Sequence, residues 1–459
     1  MKRLLISAAH KSSGKTTISI GLCKALTDRG DIVQPYKKGP DYIDPMWLGR
    51  ATNRPCYNLD FYTMQRDEIL ATMHDYSTGA DISLIEGNKG LYDGLDIEGS
   101  NSNAALASLT HTPVVLVIDV QGMTRGIAPL VLGYQAFDPE VHIAGIILNQ
   151  IRGQRHESKL RAVLEHYTEV PVVGAVYHDK SMAIVERHLG LVPSNESAGA
   201  EERIAHIGQL IAKQVDLDSV REIAAASPEI TKARTRIERV QHTPDIRIAI
   251  ARDAAFGFYY PDDLDALQHA GAELIPFNTL QDRVLPDCDG LFLGGGFPET
   301  HMAALEANAS LRTSIKTAIE QGLPTYAECG GLMYLARSLR WQDESRDMVG
   351  VIPGDITMHA RPMGRGYIQL EETALHPWPD GLNSLIPGHE FHYSALENLP
   401  AGQEFAYHVR RGTGINGESD GLIINNLLAS YAHLRDTSQH HWAKRFIDFV
   451  RSLKLKNGL

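Results

Sequence analysis

The chain has 459 residues, of which 43% are hydrophobic and 22% charged, enough for two or three domains with complete cores. A formal net charge of −12 excludes a nucleic-acid backbone as the main partner, because such binding needs clustered Lys and Arg, but it allows an anionic small molecule in a locally basic pocket. No apolar stretch is long enough to span a bilayer, so no membrane partner is expected.

The opening Lys2-Arg3-Leu4-Leu5-Ile6 imitates a signal peptide, but its apolar run is short and leads straight into Ser12-Ser13-Gly14-Lys15. The four cysteines, Cys23, Cys56, Cys288 and Cys329, form no CxxC pair and suit a reducing cytosol, so a cytoplasmic protein is expected.

Short β-rich runs at 4–7, 32–36, 82–85, 114–119, 143–148 and 170–176 alternate with helix-like stretches and predict a mainly parallel sheet wrapped by helices. The pattern changes between about 196 and 244, where Ile204, Ile207, Leu210 and Ile211 share one helix face and 227–243 is polar and charged. Runs at 246–251, 274–277, 291–293, 325–328, 367–370 and 404–409 predict a second α/β domain. The expected division is a nucleotide domain over 1–195, a helical segment and linker over 196–244, and a second domain over 245–459.

The run at 4–7 leads through Ala9-His10-Lys11-Ser12-Ser13-Gly14-Lys15-Thr16 into a helix-like 18–26, a P-loop with Ala9 in place of its first glycine. Loop N–H groups would surround phosphate oxygens, Lys15 would neutralise charge and Thr16 would hold Mg²⁺. Losing that glycine removes backbone freedom, so a slightly altered loop is expected.

Lys37, Lys38, Asp41 and Asp44 crowd a turn after the second run, a density that suits a phosphate and metal site and equally a solvated turn. Glu86 falls at the carboxyl end of a strand, where doubly wound sheets bind ligands, and is a second candidate Mg²⁺ ligand. Asn149 reads either as an adenine contact or as a capping residue. The expected ATP-binding set is Ser12, Ser13, Gly14, Lys15, Thr16, Thr17, Lys37 and Asn149, with Thr16, Asp44 and Glu86 for Mg²⁺.

In the second half, Thr325-Tyr326-Ala327-Glu328-Cys329-Gly330-Gly331 reads as a strand and tight turn before a helix, which exposes a nucleophile and places it at a helix start expected to lower the thiol pKa. His433, in Ser430-Tyr431-Ala432-His433, is the candidate base. Gly294-Gly295-Gly296 offers N–H groups to an oxyanion, with Gly330 as a further donor. His389 and His392 lack the helical spacing of a zinc HExxH motif and lie in a strand-like run, read as part of domain docking or an ammonia path.

The runs Lys37 to Pro45, Glu86 to Gly94 and Arg187 to Pro193 together resemble the cobyrinic acid a,c-diamide synthase family. The second half, with Phe258-Tyr259-Tyr260-Pro261 and the 388–394 run, resembles the class I glutamine amidotransferase domain of cobyric and cobyrinic acid amidating enzymes. The resemblance covers almost the whole chain. It implies an α/β fold of two parts, a P-loop parallel-sheet domain like that of dethiobiotin synthetase and an amidotransferase domain. It also implies ATP- and glutamine-dependent amidation of acetate carboxylates on an anionic tetrapyrrole, with Tyr42, Ile43 and Asp93 near the acceptor beside Lys38, Asp41, Asn88 and Lys89. A homodimer is compatible with it, although His10 occupies the position of a trans-acting lysine in some dimeric relatives.

Three departures stand out. Lys38 replaces a usual valine, and Asn88-Lys89 replaces a usual Val-Met. With the Ala9 to Ser13 loop they look most like the sirohaem-amidating branch associated with dissimilatory sulfite reductase. Asp436 is the candidate third member of the Cys–His pair, since His433-Leu434-Arg435-Asp436 departs from the usual His-Leu-His-Phe. The rival readings are diamidation of cobyrinate or nickel-sirohydrochlorin, and a partition-type ATPase, which leaves Cys329 and His433 without a role.

Overall fold

The computed structural model describes residues 1–184, 186–187, 190–197, 199–230, 243–381 and 385–456, with the backbone alone at 186, 187 and 190. His188 and residues 231–242 of the expected polar linker lie outside the described residues, as does the side chain of Arg187. The chain divides into two compact units, Met1–Ile237 and Glu238–Leu459.

Among the described residues of the first unit, seven strands form one sheet in the spatial order Tyr57–Leu59, Val33–Lys38, Ile82–Glu86, Arg3–Ala8, Val114–Asp119, Ile143–Ile151, Val172–Tyr177. Every pairing is parallel. Both faces are covered by apolar cores, which is why these strands read as near-continuous hydrophobic runs rather than as alternation. Helix Ala200–Gln214 buries Ile204, Ile207 and Ile211 in one of these cores, and Leu217–Ala225 adds Leu217, Val220 and Ala224. The helical segment after 196 is thus part of the first unit's core. Its seat is Gly21 of helix Lys15–Asp28, where a Cβ would stand 2.3 Å from Ile211 Cγ1.

The sheet places the phosphate-binding candidates together. The carboxyl ends of Arg3–Ala8, Val33–Lys38, Ile82–Glu86 and Ile143–Ile151 carry the 9–14 loop, Lys37 and Lys38, Glu86 and Asn149 on one edge.

The second unit is built on a nine-stranded mixed sheet, among the described residues, in the order Ala272–Phe277, Ile246–Ala251, Gly290–Leu293, Thr325–Glu328, Leu427–Ser430, Ser419–Ile424, Glu404–Arg411, Gly364–Glu372, Ile386–His392. The first five strands are parallel and the last four continue antiparallel. Cys329 follows the central strand Thr325–Glu328, and His433 follows its neighbour Leu427–Ser430, so adjacent parallel strands deliver the two to the same edge.

Candidate active sites

In the first unit, Ala9 is not among the positive-φ residues; the left-handed positions of the loop are Ser12 (φ 67°) and Gly14 (φ 82°). The alanine therefore fits without strain, and the loop alteration expected from losing a glycine at that position has no backbone cause. Gly14 allows no side chain, because its Cβ would fall 2.2 Å from Asn149 Nδ2. That amide donates to the Ser13 carbonyl at 2.8 Å, so Asn149 ties the loop to the strand Ile143–Ile151. One of the two Asn149 amide N–H groups is thus engaged within the protein.

Behind the loop lies a compact charge cluster. Thr16 Oγ1 donates to Glu86 Oε1 at 2.7 Å and to Asp44 Oδ2 at 3.3 Å. Lys15 Nζ lies 3.4 Å and Lys37 Nζ 3.3 Å from Glu86 Oε1, and Lys37 also lies 2.5 Å from Asp44 Oδ2 and 3.6 Å from Asp41 Oδ2. Burial lowers the Lys15 pKa despite the pull of Glu86. The Lys37 ammonium is more deeply buried, but Asp44, Glu86 and Asp41 together hold its pKa above the ordinary range. Burial and the neighbouring Asp44 push Asp41 up to about 7, whereas Asp44, although half-buried, is held low by Lys37 and Lys15. Thr17 sits half-buried in the first turn of the same helix.

No group of three or more His, Cys, Asp or Glu side chains among the described residues is arranged to hold a metal by itself. Thr16, Asp44 and Glu86 offer hard oxygens, and Glu86 Oε2 is buried without a hydrogen-bond partner. That donor set fits Mg²⁺ completed by phosphate and water oxygens, the usual composition of a nucleotide site.

The acceptor candidates gather around the Gly39 turn. Lys38 is 2% exposed, and burial, with Lys89 and Lys37 opposing the attraction of Asp60, brings its pKa down to about 8. The Asn88 side chain lies 2.9 Å from where a Gly39 Cβ would stand, and its Oδ1 is buried without a partner. Lys89 is exposed on a left-handed residue, and Asp93, also exposed, accepts the Gly90 N–H at 2.9 Å. Asp41 Oδ1 accepts the N–H groups of Ile43 and Asp44, starting the helix that carries partly buried Ile43 and follows buried Tyr42. Sequence reasoning missed Asn103. Its fully buried amide donates to Asn88 O, Gly90 O and Ser7 Oγ and accepts the Asn88 N–H, fixing the 86–94 loop. Its place at the start of a helix signals only a cap.

In the second unit, Cys329 turns the chain at φ 45° and ψ −98° between strand Thr325–Glu328 and helix Gly330–Leu335. Room for this elbow comes from glycines: a Cβ on Gly331 would lie 2.2 Å from Leu293 O, and one on Gly330 2.8 Å from Gly296 N. A Cβ on Gly295 would lie 2.7 Å from His433 Cε1, so Gly295, Gly296, Gly330, Cys329 and His433 converge. The thiol differs from expectation. Burial, followed by Glu299 and Glu328, pushes it above the ordinary cysteine range, and the Gly330 N–H only partly counters them. The helix start alone does not make a thiolate here.

The carboxylate facing His433 is also a correction. Glu328 Oε2 lies 3.2 Å from His433 Nδ1, whereas Asp436 accepts the Ala443 N–H and donates its own N–H to Asp263, at the entrance to the last helix. Buried Asp420 accepts from Ser430 Oγ and from the N–H groups of Tyr431 and Ala432, clamping the segment that ends in His433. Gly294 donates to the Tyr259 hydroxyl at 3.1 Å, and Gly295–Gly296 pairs antiparallel with Phe256–Phe258, so the glycine run is held by pairing rather than forming an open loop.

Residues 5–192 match the CobQ/CobB/MinD/ParA nucleotide binding domain, and residues 247–440 match the CobB/CobQ-like glutamine amidotransferase domain. Over 454 residues the chain is 44% identical to the cobyrinate a,c-diamide synthase of Magnetococcus marinus, covering 98% of this chain and 97% of the relative. The chain belongs to the cobyrinate a,c-diamide synthase family. It is also 44% identical to the enzyme of that name from Methanosarcina acetivorans (97% of this chain, 95% of the relative) and 42% identical to that from Listeria monocytogenes (95% and 96%).

As a cobyrinate a,c-diamide synthase family member the chain carries the two halves its sequence implies, and none of these three relatives is named for sirohaem. In its second unit the tempting histidines are committed to packing. His389 stacks on His433 with ring centroids 4.9 Å apart, and burial together with His433 and Arg435 keeps it well below the ordinary histidine pKa. His392 stacks on Tyr431 at 3.9 Å, and its Nδ1 lies 2.8 Å from the Ser394 carbonyl.

Proposed function

We propose that the protein is an ATP-driven, glutamine-dependent a,c-diamide synthase acting on the acetate carboxylates of a cobyrinate-class tetrapyrrole. The observation that carries the reading is the presence, in one chain of this family, of the Lys15–Thr16–Lys37–Asp44–Glu86 cluster and the Cys329–His433 pair.

A carboxylate is a poor electrophile, so the first unit transfers the γ-phosphoryl group of ATP to the acceptor oxygen and forms an acyl phosphate. Lys15 and Lys37 hold the phosphate charge, and the N–H groups of Ser12 to Thr17 cradle its oxygens. Thr16, Asp44 and Glu86 would hold Mg²⁺, which would further neutralise the phosphate oxygens. Asn149 keeps the loop in place. Lys38, Asp41, Tyr42, Ile43, Asn88, Lys89 and Asp93 orient the acceptor.

In the second unit His433 takes the Cys329 proton as the sulfur attacks the glutamine amide carbon, and the Gly295, Gly296 and Gly330 N–H groups receive the oxyanion. Collapse releases ammonia, which takes the proton from His433. Water then hydrolyses the thioester. Ammonia delivered internally stays unprotonated and displaces phosphate from the acyl phosphate.

A sirohaem-type acceptor is the second reading. It is favoured by buried Lys38 and the orphaned Asn88 oxygen, polar groups suited to a ring with several carboxylates. The experiment is incubation with MgATP, glutamine and each of cobyrinate, sirohaem and sirohydrochlorin, followed by mass spectrometry. Carboxyl-to-amide mass changes that require both ATP and glutamine are expected. Their absence with every acceptor overturns the proposal, and the acceptor converted fastest decides between the two readings.

A further inference from the structure

Glu328 immediately precedes the candidate nucleophile, in a strand whose four residues are all buried. Burying a carboxylate is unfavourable unless its oxygens are engaged, and here both are. Oε1 accepts the Tyr326 hydroxyl at 2.6 Å and the Leu434 N–H at 3.0 Å, while Oε2 lies 3.2 Å from His433 Nδ1. Among the described residues His433 is its one ion-pair partner, and both side chains are 4% exposed.

Neighbouring strand residues normally point to opposite faces, which makes a Glu beside a nucleophile read as scaffold. Cys329 breaks that alternation with its φ of 45°, and the clamp of Leu434 N–H on Oε1 brings the imidazole to the carboxylate.

We infer that Glu328 is the positioning residue of the glutamine-hydrolysing site. Its negative oxygen holds the ring hydrogen of His433 on Nδ1, which leaves Nε2 as the unprotonated nitrogen that accepts the Cys329 proton, and it stabilises the imidazolium that results. The proton passes from sulfur to Nε2 as the S–C bond forms, and from Nε2 to the departing nitrogen as the C–N bond breaks. Glu328 exchanges no proton. The inference rests on the reading of Cys329 and His433 as a glutaminase pair.

A purely structural clamp makes different predictions, and three substitutions separate the two. Glu328→Gln preserves size and the acceptor for Tyr326 and Leu434 but removes the charge facing Nδ1. Tyr326→Phe removes a clamp donor and keeps the charge. Glu328→Asp keeps the charge on a shorter stem. Glutaminase kcat in Glu328→Gln is expected to fall by about 10²–10⁴-fold with KM nearly unchanged. The acid limb of kcat/KM should move to lower pH, because the imidazolium has lost its counter-charge. Glu328→Asp should recover part of kcat, and Tyr326→Phe should retain most of it.

The tautomer is measurable in the parent without any variant: ¹⁵N-histidine NMR should show His433 protonated on Nδ1 in the neutral form. An Nε2–H tautomer overturns the inference even where Glu328→Gln fails to fold. So does a folded Glu328→Gln with kcat close to the parent's, or equal losses in Glu328→Gln and Tyr326→Phe with no shift of the acid limb. A parent that hydrolyses no glutamine overturns the amidotransferase reading and this inference together, whereas an active parent with an equally active Glu328→Gln overturns this inference alone.

Discussion

The side-chain amide of Asn149 occupies the space beside Gly14: Nδ2 lies 2.2 Å from where any Cβ at position 14 would stand and donates to the Ser13 carbonyl at 2.8 Å. Gly14→Ala therefore has two faults, a left-handed φ of 82° and a clash with the residue that anchors the loop. A loss of ATP affinity of at least about tenfold is expected, corresponding to about 1.4 kcal/mol or more. Asn149→Ala removes one buried hydrogen bond worth about 1 kcal/mol and should weaken binding less. Calorimetry with a non-hydrolysable ATP analogue measures both, and parent-like affinity in Gly14→Ala would remove this loop from the nucleotide site.

Cys329→Ser should abolish glutamine-dependent amidation while high external ammonia still supports turnover, because the synthetase chemistry needs only the nitrogen nucleophile. Product formation with each donor is the measurement. Loss of both activities in a variant with a parent-like melting curve contradicts two separable sites.

Lys15→Ala and Glu86→Gln should remove turnover with either donor, since both residues belong to the cluster that meets phosphate before nitrogen enters. Positional isotope exchange or acceptor-dependent ADP release reads the activation step directly. Ammonia-supported turnover near the parent rate in either variant takes that residue out of the step.

What the sequence disclosed was mostly local. The strands Val114–Asp119, Ile246–Ala251 and Thr325–Glu328 could be read to the residue, because each is an apolar run bounded by turn formers, and the P-loop residues are contiguous. Tyr57–Leu59 is too short to show a period, Glu344–Asp347 has no apolar residue, and Ala336–Trp341, Ile352–Met358 and Ser394–Glu397 interleave polar residues with apolar ones. The contacts that organise the sites are distant in the chain: Asn149 and Ser13 are 136 residues apart, Glu328 and His433 105. Asp436 was the nearer carboxylate to His433 in sequence, but the chain carries it into a different hydrogen-bond network. Likewise, the amphipathic face of Ile204, Ile207 and Ile211 announced a helix without revealing that Gly21 opens a seat for it.

Lys38 is buried at the Gly39 turn with a pKa lowered to about 8, so its ammonium is present below that pH and lost above it. If the charged form binds an acceptor carboxylate, kcat/KM for the acceptor must fall as pH rises through about 8, since kcat/KM follows the free enzyme's ionisation. A charge-assisted hydrogen bond of this kind contributes about 1.5–3 kcal/mol, equivalent to a roughly 10- to 150-fold change in kcat/KM. Lys38→Val should remove the alkaline limb and lower kcat/KM at neutral pH, while glutamine hydrolysis at Cys329 and the apparent affinity for ATP change little. Combining it with Asn88→Val and Lys89→Met should lower kcat/KM more for sirohaem than for cobyrinate, because the polar groups removed are those that depart from the residues usual in the family. The profile is measured from pH 6.5 to 9.5 with both acceptors, in the parent and the triple variant. An alkaline limb that persists in Lys38→Val assigns the titration to another group. An unchanged ratio between the acceptors leaves cobyrinate-class amidation standing and removes the support for sirohaem.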